Sequence, residues 1–207
     1  MEVVIGITWI VRIAIYFCSE KRVNVRNQTI EQVRQMALEL GVYRAEVVEV
    51  EQISLDAAFR TMCESNACGN YGRNYTCPPD AGDIQELMKE LQEYRYALVY
   101  QTVGMLEDSY DFEGMMEAGF LHNQLAQKLW DFTDELGFSD VLHLGAGGCR
   151  LCEVCGKREG IPCRNPKRAM RSLEAYGVNV SLLASLANMK YINGQNTVTY
   201  FGAVFIK

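Results

Sequence analysis

Histidine is almost missing from this chain of 207 residues, which has only His122 and His143. No Ser/His/Asp pattern and no pair of acids beside a histidine can be assembled, and no nucleotide-binding motif occurs, so nothing supports a hydrolase or a kinase. Basic charge is also in deficit: 20 Lys and Arg stand against 26 Asp and Glu, for a net charge of −6 and a pI near 5.1. A global positive field for nucleic acid is therefore lacking. Proline is scarce at four residues, and no Pro/Ser linker divides residues 29–207. A long apolar run is lacking too. Residues 1–17 are apolar but are broken by Arg12, and they fall short of the roughly 20 residues a membrane span needs. Glu2 stands where a signal peptide carries positive charge, and no small-residue cleavage site follows. The expectation is an extension, residues 1–28, outside the functional domain, with no stable membrane span.

What remains has ordinary globular proportions, 49% hydrophobic and 22% charged, in a length that suits one domain. Cysteine is the outlier. Seven of the eight fall into two groups, Cys63, Cys68, Cys77 and Cys149, Cys152, Cys155, Cys163, while Cys18 stands apart. A chain this long can bury an adequate core without disulfide staples. Two consecutive CxxC steps point instead to metal ligation in a reducing compartment, hence a cytoplasmic location.

Periodicity gives the framework. Thr29 opens a capping box with Gln32, followed by Ile30, Val33, Ala37 and Leu38 at helical spacing, and Gly41 suits the helix end. Strands are expected at 42–50, 95–103, 139–145 and 197–206, and helices at 82–93, 114–136, Pro166 to about Gly177, and 181–189. Residues 51–62 read as a connection with a helical turn. Strands separated by helices imply an α/β fold, with a mixed or largely parallel sheet of about four strands, helices packed on it, and two cysteine-rich loops. Residues 29–207 form one domain on this reading. The two loops are expected side by side at one end of the sheet.

The second cysteine loop reads Gly147-Gly148-Cys149-Arg-Leu-Cys152-Glu-Val-Cys155, then Cys163-Arg-Asn-Pro166. Three thiolates two residues apart wrap one face of a cubane cluster, as in bacterial ferredoxins, with a fourth from further along. Zinc more often takes two CxxC knuckles separated by a longer span. Seven bases between Arg150 and Arg171 either offset cluster charge or form a solvated face. The first loop holds Cys63, Cys68 and Cys77 in Gly/Asn/Pro-rich sequence, and Cys77-Pro78 matches the Cys-Pro end of ferredoxin motifs. Its fourth ligand comes from elsewhere in the chain, such as a cysteine crossing between the loops or His143, or is an exogenous molecule, or is absent. His143 has the alternative of a hydrogen-bonded core residue, and His122 reads as surface. Tyr71 and Tyr75 are placed to pack over the site. Met115, Met116 and Phe120 read as a core stripe.

At these loops the sequence resembles an uncharacterised family of predicted metal-binding proteins, domain of unknown function 2284. The matching residues are Cys63, Cys68, Tyr71-Gly72, Cys77-Pro78-Pro79, Gly148-Cys149, Cys152, Cys155, Pro162-Cys163-Arg164, Pro166, and Ser172-Leu173-Glu174-Ala175 with Gly177. The resemblance spans about residues 30–207 and implies metal binding of iron–sulfur type. The expectation is an iron–sulfur protein, with a four-iron four-sulfur cluster on Cys149, Cys152, Cys155 and Cys163, and a second site on Cys63, Cys68 and Cys77. Its role would be electron transfer to a redox partner protein, with no nucleic acid involved. The alternatives are a structural zinc-binding interaction module and an iron–sulfur enzyme with an open coordination site.

Overall fold

The computed structural model describes residues 29–138 and 140–207. The expected extension 1–28, with Cys18, lies outside the described residues. The elements are α1 (29–39), β1 (Arg44–Glu49), α2 (Phe59–Glu64), α3 (Ile84–Gln92), β2 (Tyr96–Met105), α4 (Phe112–Glu135), β3 (Val141–Gly145), β4 (Arg171–Ser172), α5 (Val180–Leu186) and β5 (Thr197–Ile206). Short 3-10 turns occupy Val50–Gln52, Gly156–Glu159 and Glu174–Tyr176.

The sheet is mixed and has five strands in the order β1-β2-β5-β3-β4. The expectation of a largely parallel sheet is corrected. β1–β2, β2–β5 and β5–β3 are antiparallel, and only the two-residue β4 runs parallel to its neighbour, β3. The last strand inserts between β2 and β3, so neither neighbour needs a parallel crossover.

Period-two alternation sends side chains to two cores. Ala97, Val99, Leu144, Phe201, Ala203 and Phe205 face one side, where they meet Leu87 and Leu91 of α3 and Leu183 of α5. Leu98, Tyr100, Val204 and Ile206 face the other, against Val33 of α1 and Leu129 of α4. Tyr100 pairs with Gly202 across β2 and β5. A Cβ on Gly202 would sit 2.3 Å from the Tyr100 ring, so only glycine lets that ring lie over β5. Asp83 caps α3 by accepting from the N–H groups of Gln85 and Glu86.

Three expectations fail here. Residues Pro166 to Gly177 do not form one helix, because their backbone groups are taken by other elements. Ser172 N–H donates to Thr76 O at 3.3 Å and Leu173 N–H to Gly145 O at 3.0 Å. Met116 and Phe120 are exposed rather than core. The inward face of α4 is shifted by small residues: Ala118 meets Gly104, and Gly119 meets Tyr200, whose hydroxyl donates to Met115 O at 2.6 Å. The same shift buries His122, which stacks on Tyr100 at 5.5 Å with its Nδ1 2.8 Å from Thr102 Oγ1. It is not a surface residue.

Candidate metal centre

The first loop begins in the last turn of α2, which carries Cys63. Asn66 then adopts φ 55° and accepts the Tyr71 N–H on its side-chain oxygen at 3.0 Å, bending the chain around Cys68. Gly72 N–H donates to Pro78 O at 2.9 Å and Cys77 N–H to Asn74 O at 3.1 Å, which closes the loop beneath Cys77. Cys63 and Cys68 share one cleft with the buried Cys77. The cleft has a volume of about 540 Å³, and Tyr71, Tyr191 and Glu174 also line it.

The second loop leaves β3 at Gly145. Cys149, Cys152, Cys155 and Cys163 surround a separate cavity of only about 20 Å³. Tyr75 lines that cavity and donates its hydroxyl to Ile161 O at 2.9 Å. Asn165 Nδ2 faces Cys152 Sγ at 3.6 Å. The seven cysteines therefore divide as the sequence divides them, four around one cavity and three around another.

The loops are interlocked. Asn74 Nδ2 donates to Cys149 O at 3.1 Å, and Cys149 N–H donates to Thr76 Oγ1 at 3.1 Å. Gly148 lies so close that a Cβ there would be 2.9 Å from Asn74 Nδ2. Lys157 pairs with Asp80 at 2.7 Å, and Arg158 donates to Asn70 Oδ1 at 3.3 Å. Most of the local bases are engaged by this chain itself. Arg164 pairs with Glu159, Arg168 with Asp131 and Asp134, and Arg171 with Glu90, while Arg150 lies over the Tyr200 ring. Lys157, Arg168 and Arg171 tie the loop to the first loop, α4 and α3, on a face that stays partly exposed.

His143 does not reach either site. It faces α4 instead, stacked on Trp130 at 4.4 Å, with Nε2 3.1 Å from Thr133 Oγ1. Burial, with Arg168 adding to it, lowers its pKa to about 3. It is a neutral core residue.

Burial pushes the Cys77 thiol up to about 12, with Cys68 adding to the shift. It also raises Cys149, where Cys152, Cys163 and Cys155 contribute. Cys63 rises through burial and then through Glu174 and Cys68. Cys63, Cys77 and Cys149 thus each feel group partners, and a metal binding at these thiols must displace protons. Among the described residues, no group of three or more His, Cys, Asp or Glu side chains is arranged to hold a metal ion as it stands. Binding would have to draw the thiols of a group together. The donor set itself, soft sulfur in sets of four and three, suits iron–sulfur clusters or zinc.

Residues 46–206 match the family described as predicted metal-binding protein (DUF2284). The chain belongs to this family. No curated protein and no solved structure matches it. Membership places the chain among predicted metal-binding proteins. Glu174 lines the three-cysteine cleft, a placement that sequence reasoning overlooked. Its only sequence signal was its place in the Ser172-Leu173-Glu174-Ala175 match.

Proposed function

We propose that this protein is a cytoplasmic iron–sulfur protein that transfers electrons, with a four-iron cluster on Cys149, Cys152, Cys155 and Cys163 and a second centre on Cys63, Cys68 and Cys77. The observation that carries the reading is the partition of seven thiols into a set of four and a set of three on two interlocked loops. A set of four protein thiolates is the full complement of a cubane. Electrons would be exchanged with a redox partner protein. Among the described residues, no helix is long and apolar enough to cross a membrane.

A second reading, an enzyme with an open iron site, is favoured by the 540 Å³ cleft beside the three-thiol set. That volume falls in the range of small-molecule sites. Anaerobic purification followed by optical spectroscopy and analysis of iron, sulfide and zinc tests both readings. Brown protein with iron and acid-labile sulfide supports them. Colourless protein with zinc bound by the four thiols of the 20 Å³ cavity would replace them with a structural zinc module.

A further inference from the structure

Each iron of a cubane takes one ligand from outside the cluster, and the first loop offers three thiols. The four thiols of the second loop surround their own cavity, and neither histidine faces the cleft: His143 stacks on Trp130, and His122 stacks on Tyr100. Among the described residues lining the cleft, Glu174 is the only charged side chain.

Glu174 is firmly placed. It starts the 3-10 turn Glu174–Tyr176, whose next two residues, Ala175 and Tyr176, are fully buried. Leu173 before it is pinned to β3 through Gly145 O. Its Oε2 accepts the Gly147 N–H at 3.0 Å, which sets the carboxylate between the two cysteine loops. Glu174 lines the same cleft as Cys63, Cys68 and Cys77. A carboxylate gathered with thiols in a partly dry cleft is an arrangement that a bound cation relieves. Two other oxygens at the cleft are engaged: the Asn179 side-chain oxygen caps α5, and the Ser172 hydroxyl accepts from Ala175 N–H.

We infer that Glu174 supplies the non-thiolate ligand of the first-loop centre, through the oxygen that Gly147 does not hold, completing a set of three thiolates and one carboxylate around a four-iron cluster. The inference rests on the iron–sulfur reading above. An oxygen ligand is harder than a thiolate and leaves its iron the most exchangeable of the four.

The test uses the full chain reconstituted anaerobically with ferrous iron and sulfide, alongside Glu174→Ala, Glu174→Gln and Cys77→Ser. Iron per chain is counted before and after treatment with ferricyanide, the oxidant that converts a cubane with a labile iron to a three-iron cluster and released ferrous iron. The expected result is that both Glu174 variants hold one iron per chain fewer than wild type before treatment, whereas wild type releases that iron on treatment; all three then show the EPR signal of an oxidised three-iron cluster. The reduced signal of the second-loop cluster should persist. Gln keeps the side-chain volume and an acceptor for Gly147 N–H, so its loss of iron is not a folding effect. If Cys77→Ser lowers the iron count but both Glu174 variants match wild type, the ligand assignment is overturned while the cluster stands. If Cys77→Ser removes no iron, the first-loop centre and the inference fall together.

Discussion

The backbone N–H of Cys149 donates to the Thr76 hydroxyl at 3.1 Å, so the first cysteine of one loop is held by the residue preceding the last cysteine of the other. Thr76 is itself buried, and its N–H and hydroxyl both donate to Asn74 Oδ1. Thr76→Val removes the acceptor for Cys149 N–H at nearly constant shape. The expected cost is about 1–3 kcal/mol of stability for the stranded donor. Urea unfolding measures it, and an unchanged midpoint would show that the tie contributes nothing.

Removing single thiols should separate two pools of metal. Cys149→Ser and Cys152→Ser are expected to abolish most metal of the four-thiol site, and Cys63→Ser that of the three-thiol site. Cys18→Ser should leave metal content unchanged. Metal per chain by elemental analysis is the readout. Equal losses from all four variants would contradict the division into sets.

His143 should make the fold sensitive to acid. Its pKa in the folded chain is held at about 3, below the ordinary 6.5, so between these values the unfolded chain binds the extra proton. Stability attributable to this residue is complete above about pH 6.5 and falls as pH drops toward 3, by up to about 1.4 kcal/mol per unit. His122, lowered to about 4, adds in the same direction. His143→Phe keeps the stack on Trp130, and the Thr133 hydroxyl still donates to Trp130 O. The variant should show a shallower loss of stability between pH 6 and pH 4, measured by urea midpoints at matched metal content. Parallel acid limbs for wild type and variant would show that His143 contributes nothing to the acid sensitivity.

Gly202→Ala should be among the most damaging single-methyl changes in the sheet. The added carbon would lie 2.3 Å from the Tyr100 ring, which is fully buried and stacked on His122. Overpacking of this kind costs about 1–3 kcal/mol. Thermal unfolding reads it, and adding Tyr100→Leu should recover part of the loss.

Much of the framework was legible because it is written in local periodicity. The strand expected at 197–206 is Thr197–Ile206, and the helix expected at 82–93 is Ile84–Gln92. The grouping of cysteines was legible from spacing alone. Strand direction was not, since it depends on where β5 inserts, which is a long-range event. The stretch from Pro166 to Gly177 carries helix-compatible residues, yet Thr76 and Gly145 claim its backbone. The α4 face was misjudged because Met116 and Phe120 are more apolar than Ala118 and Gly119, while close helix–sheet approach favours the smaller pair. Glu174 was hidden for a related reason: a lone acid in sequence gives no sign of which cleft it will enter.

The position of β5 also governs the order of events during synthesis. β2 and β3 are both made before the strand that separates them. Until the ten residues of β5 emerge, each presents a bare hydrogen-bonding edge, and the cores lack Phe201, Ala203 and Phe205 on one face and Val204 and Ile206 on the other. All seven clustered cysteines are therefore made before β5, and the sheet that supports the two loops is complete only once β5 has left the ribosome.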